Sequence, residues 1–217
     1  MAEERHPLEK RIAIWTYRGI DFEVVERPDV FWVGCLGYAH NLTDEPDIGA
    51  TLRRFQALVS SVPIREKVNP DWSAALSIHY GCGDQPRGMM FGNESFTADQ
   101  DERYDVLVQP GGLWLRVRND AGAAQALLGR EQAEPSAYFA LEMTKEQRNT
   151  KQEPGNGGSC EGDAHIAESV LQKVAGEHGY MPHPDVPIQI EYHCHAEYGL
   201  PEHTNFAYIP ICKNQSL

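Results

Sequence analysis

The sequence has no apolar run long enough to cross a bilayer. No window approaches the roughly 20 apolar residues that a spanning helix needs. It has no paired-cysteine motif either. Its five cysteines (Cys35, Cys82, Cys160, Cys194 and Cys212) are odd in number and widely spaced, with no CxxC. That fits reduced thiols better than a disulfide framework. Positive charge is scarce: 19 Lys and Arg stand against 32 Asp and Glu, for a net charge of −13. Phosphate backbones and anionic lipid repel such a surface, so direct nucleic-acid and membrane binding are not expected. The opening MAEERHPLEKR does not read as a secretory leader, and a cytoplasmic protein is expected. GCGDQPRG lacks the Lys-Ser/Thr ending of a phosphate loop and leads into no helix. No serine sits in a nucleophile elbow, and nothing local marks a reactive Cys82 or Cys194. No cofactor is expected.

What is present is a core-forming pattern, with 41% hydrophobic residues. EVVERPDVFWVGCLGY (23–38) reads as one strand, β-branched and aromatic, entered through Pro28. IGATLRRFQALVSSV puts Ile48, Leu52, Phe55, Leu58 and Val59 on one helical face, with Arg53 and Arg54 outside and Pro63 at its end. AALSIHYG is the second strand, GCGDQPRG a loop, DERYDVLVQP the third strand and GLWLRVRND the fourth. AHIAESVLQKVAGEHGY again has helical spacing, with Ile166, Val170, Leu171 and Val174 on one face. IQIEYHCH and FAYIPIC are the closing strands.

The order strand, helix, strand, strand thus occurs twice, an internal-repeat signal. DVFWVGCL lies on GGLWLRVR, pairing Trp32 with Trp114. LSIHYG lies on IQIEYH, pairing Ile78 with Ile190 and His79 with Glu191. RYDVLVQP lies on NFAYIPIC, pairing Tyr104 with Phe206. The expected fold is α+β: duplicated β-α-β-β halves forming a curved antiparallel sheet, with two long helices on one face and a central pocket at a quasi-two-fold axis. The expected organisation is an extension (1–22), then one domain (23–217) with halves of about 23–110 and 111–213. A polar, Gly-rich insertion falls at about 121–163.

Several residues carry chemistry on this reading. Alternation puts Gln189, Glu191, His193 and His195 on one strand face, and Ile188, Ile190, Tyr192 and Cys194 on the core face. Glu191 on a pocket floor would pair with a cationic ligand or act as acid or base; otherwise it meets water. With His79 it would form an acid/base pair, unless His79 is a half-buried imidazole bonded to backbone. His193 and His195 have metal-ligand spacing beside Glu191, a pattern that also arises by chance. Aromatic candidates for stacking are Tyr38, Tyr80, Phe91 and Trp114, against the plainer reading of strand aromatics as core. Met89 and Met90 precede Phe91 in the patch MMF between glycines and would form an adaptable wall.

The segments ERPDVFWVGCLGYAHN, IGATLRRFQALV, LSIHYG, DERYDVLVQPGGLWLRV, IQIEYH and FAYIPI together resemble the GyrI-like small-molecule-binding family, also called the AraC-type effector-binding domain. The resemblance covers roughly residues 23–213. It implies a duplicated fold with a central pocket, in a family of drug-sensing, drug-binding and gyrase-inhibitor-like proteins and some toxin hydrolases. It matches Glu191 to a ligand-engaging carboxylate and Tyr38 to a pocket-lining aromatic. The chain departs from the family in its long insertion and in lacking a helix-turn-helix.

The leading expectation is binding of a small, largely apolar aromatic compound, neutral or cationic, by Glu191, Tyr38, Trp114, Tyr80, Phe91 and His193. The alternatives are a hydrolase using Glu191 and His79, and a metal-dependent enzyme using His193 and His195. The expected partner is the small molecule; a separate regulator or a second copy of the chain stays open.

Overall fold

The computed structural model describes residues 7–69, 72–79, 85–118, 168–194 and 205–214, with backbone alone at 72, 168–169, 191–194 and 205. Ten strands form one antiparallel sheet. They are β1 (Lys10–Tyr17), β2 (Ile20–Arg27), β3 (Val30–Tyr38), β4 (Trp72–Ile78), β5 (Gly88–Ser95), β6 (Asp105–Gln109), β7 (Gly112–Arg118), β8 (Tyr180–Pro182), β9 (Ile188–Cys194) and β10 (Asn205–Lys213). Helices α1 (Ile48–Ser61) and α2 (Glu168–Glu177) complete the described elements. The strand order is β1-β2-β7-β10-β9-β4-β5-β3-β6, with β8 also on β10.

Three sequence expectations change. Residues 23–38 are two strands, because Pro28 has no N–H to give a ladder and Pro28-Asp29 forms a link between β2 and β3. The segment expected ahead of the domain carries β1 and the start of β2, which together form a hairpin. Its two-residue turn, Arg18-Gly19, has φ of 51° and 81°, the left-handed pair that suits a strand twist. The apolar MMF stretch is likewise a strand, β5, between β4 and β3. Its glycines masked the alternation.

The chain path forces the sheet to curl. β2 and β3 are six strand spacings apart, about 29 Å in a flat sheet. Arg27 and Val30 are three residues apart and reach at most about 11 Å. The link Gln109–Gly112 between β6 and β7 spans the same gap. Both links cross at one place, where the Gly111 N–H donates to Asp29 Oδ1 at 2.5 Å. A Cβ on Gly111 would lie 2.9 Å from backbone atoms of Arg27, Pro28 and Asp29, so only glycine allows this crossing.

The links also fix the internal symmetry. Arg27-Pro28-Asp29-Val30 corresponds to Gln109-Pro110-Gly111-Gly112, and Trp32 to Trp114, at one common offset. On this correspondence β2 is matched by β6 and β3 by β7. Trp32 is in register with Glu94 and Trp114 with Pro210, so β5 corresponds to β10. The expected match of Tyr104 with Phe206 is corrected: β6 is the counterpart of β2, and Tyr104 lies ahead of β6. Carried through the ladders, the same offset sets Met90 on Phe206, Leu76 on Tyr192, and Ala75 on Glu191. Ala75 and Glu191 are also direct partners across β4 and β9, so the quasi-two-fold axis passes through that pair.

Both helices sit on one face. The α1 side chain Phe55 packs with Val33, Cys35, Ile64 and Tyr104. Asp47 caps α1, its Oδ1 accepting from the Ala50 N–H at 2.8 Å. In α2, Val170, Leu171, Val174 and Ala175 bury against Leu115, Ala207, Ile209 and Ile211. These are the helical faces expected from the spacing, except that Ile48 is exposed in the first turn and Ile166 lies outside the described residues. The opposite face holds a third cluster: Val25, Val30, Trp32, Leu76, Met90, Trp114, Ile188, Ile190 and Tyr208 among others.

Candidate functional site

One row of paired positions crosses the helix-bearing face: Cys35, Phe91, Ala75, position 191, Ala207, Val117, Phe22. Its ends lie in the clusters under α1 and α2. At the centre, Glu191 is in register between two alanines, on the seam of β4 and β9. Ser73 and Ser77, both half-buried, stand two residues either side of Ala75 on the same face of β4. The seam is thus lined by the smallest side chains of the row, while its wings carry the large ones.

The other expected residues divide between the faces. Phe91 is half-buried and packs against the α1 cluster, in register beside Ala75. His193 is in register with Ser73 and Asn205 on the same seam. Trp114 lies on the opposite face, 1% exposed within the third cluster, so it shares no wall with Phe91. Tyr38 ends β3 half-exposed, its ring across Gly88 beside Ile78, a member of that third cluster. His79 follows β4 with φ of 59°, and its N–H donates to Pro187 O at 2.9 Å. It stands four residues along β4 from Ala75, the partner of Glu191, about 13 Å at the usual strand rise. The ladder does not bring His79 and Glu191 together. Ile188 and Ile190 are buried, as the core-side alternation requires. Tyr80, His195, Cys82, Cys160 and the 121–163 insertion lie outside the described residues. Among the described residues no group of three His, Cys, Asp or Glu side chains is placed to hold a metal.

Sequence reasoning missed a charge network on the face away from the helices. Arg27, 2% exposed, pairs with Glu94, and its Nε is 3.4 Å from Glu9 Oε1. Its guanidinium lies over the rings of Trp114 and Tyr208. Arg116, 5% exposed, donates to Glu9 at 2.5 Å and through Nε to Glu23 at 2.6 Å. Burial works against its charge, but Tyr208, Glu9 and Glu23 outweigh that and hold it protonated. The Tyr208 hydroxyl donates to Glu9 Oε2 at 3.4 Å, and burial, with the Glu9 charge, pushes its pKa up. Beside this network, Trp32 Nε1 donates to Gln109 Oε1 at 2.8 Å. The one available signal was the pair of prolines, Pro28 and Pro110, which brings Arg27 and Gln109 to matching strand ends.

No family model matches the sequence, and no curated protein matches it. Solved structures do. The structure of SAV2435 bound to tetraphenylphosphonium superposes with a TM-score of 0.51 at 10% identity, over 88% of this chain and 93% of that one. A protein of Staphylococcus aureus MU50 gives 0.48 at 9% identity, over 89% and 99%. An integron cassette protein from the mobile metagenome of Vibrio cholerae gives 0.39 at 10%, over 88% and 95%. The first likeness shows the fold, which is consistent with the GyrI-like architecture expected from the sequence. No helix among the described residues is long and apolar enough to cross a membrane.

Proposed function

We propose that the chain binds a small, largely apolar organic cation over the β4–β9 seam, between α1 and α2, with Glu191 as its counter-charge. The observation that carries this reading is the register of Glu191, on the quasi-two-fold axis and flanked by Ala75 and Ala207. Small neighbours keep the sheet surface low at the point where the two halves meet. A carboxylate there is the one charged group of the central row. Phe91 supplies an aromatic wall, and His193 adjoins on the same strand. The neighbour SAV2435, a protein of the same fold, is described bound to tetraphenylphosphonium, a lipophilic cation.

We read a binder rather than a hydrolase: His79 stands about 13 Å along the strand from Ala75, the partner of Glu191, which lends no support to an acid/base couple of those two. Tetraphenylphosphonium is the probe. Calorimetric titration should show saturable binding to the full chain, and Glu191→Gln should weaken it at least tenfold while leaving the thermal midpoint within a few degrees. Equal affinity in the two proteins would sink the assignment of Glu191.

A further inference from the structure

Arg27, Arg116, the Tyr208 hydroxyl and Glu9 form a buried recognition set in which the carboxylate comes from the segment leading into β1. The first ladder pair of β1 is Lys10–Glu26, one residue after Glu9. The Glu9 side chain is only 2% exposed, and it meets both arginines and the tyrosine. Leu8, just before it, packs on the apolar cluster that contains Trp32, Trp114 and Tyr208. An alkyl group on an apolar cluster, followed by a carboxylate on a pair of arginines, is how a small apolar acid would sit.

We propose that this face holds a second binding site, for the carboxylate of a small apolar acid, which Leu8 and Glu9 occupy in cis. The site is independent of the β4–β9 seam and lies on the other side of the sheet. The charge balance supports an exchange of occupants. With Glu9 withdrawn, Arg27 and Arg116 face Glu94 and Glu23. An incoming carboxylate then restores the native balance, and two fork-shaped guanidinium groups suit it. The ligand's chain would take the place of Leu8 on that cluster, as an unbranched or flat apolar group.

Octanoate is the probe, with hexanol as an apolar control lacking charge. The double variant Leu8→Ala/Glu9→Ala in the full chain should bind octanoate at least tenfold more tightly than the wild type. Its thermal midpoint should rise with octanoate and stay put with hexanol. Adding Arg116→Met should remove the effect, and adding Glu191→Gln should leave it in place. Equal octanoate affinity in wild type and double variant, or affinity that survives Arg116→Met, would overturn the proposal. If the double variant does not fold, hydrogen exchange on the wild type decides. Excess octanoate should speed amide exchange at residues 8–13, and unchanged exchange there overturns the proposal equally.

Discussion

The guanidinium carbon of Arg27 stands 5.5 Å from the ring centroid of Trp114, on the adjacent strand, while its Nη2 pairs with Glu94 from the far wing of the sheet. One side chain thus ties β2 to β5 across the curl. Arg27→Ala leaves Glu94 buried without that partner and should cost about 3–5 kcal/mol. Arg27→Lys keeps the charge but loses the planar fork and the stacking, and should recover less than half of the loss. Urea titration reads both, as a lower midpoint at unchanged slope.

The Tyr208 hydroxyl gives a signed pH prediction. Burial, reinforced by the Glu9 charge, raises its folded pKa above the ordinary value near 10. Stability linked to it is therefore full below pH 10 and declines as pH rises beyond that, when the unfolded chain releases a proton that the folded chain keeps. One such proton contributes a slope of about 1.4 kcal/mol per pH unit. Tyr208→Phe should make the alkaline decline shallower by about half that amount at pH 10 and by nearly all of it at pH 11. An unchanged slope would show that the hydroxyl ionises freely in the fold.

Gly111 tests the crossing of the two links. Gly111→Ala presses a methyl group onto three backbone atoms at 2.9 Å, none of which has a flexible side chain's freedom to yield. The expected loss is roughly 1–3 kcal/mol, the usual range for overpacking. Asp29→Ala removes only the hydrogen bond to the Gly111 N–H and should cost about 1 kcal/mol. Comparing their denaturation midpoints separates steric from polar demands at the crossing.

The fold was largely legible in the sequence because burial leaves periodic traces. The Phe55 face of α1, the Val170–Val174 face of α2 and the Ile188–Ile190 side of β9 all follow from spacing. So does the correspondence of Trp32 with Trp114. Two features were hidden. β5 carries glycines at 88 and 92 and an alternation too broken to read as a strand. The Arg27–Glu94–Glu9–Arg116 network joins residues from four distant segments, and no local pattern records which charges will meet after the sheet curls. The match of His79 with Glu191 failed for a related reason. A four-residue slip keeps every side chain on its proper face, so alternation alone cannot detect it; the ladders can.

The placement of β10 has a consequence for how the chain comes together. This strand, the last in the sequence, lies between β7 and β9 in the middle of the sheet. Until it is made, the wing of β1, β2 and β7 has no backbone ladder to the remaining strands, and two inner edges stand open. Such edges invite pairing with other chains, and their closure joins residues far apart in sequence, which is slow. During synthesis the half-built sheet must therefore wait, with its centre missing, for the final strand to emerge.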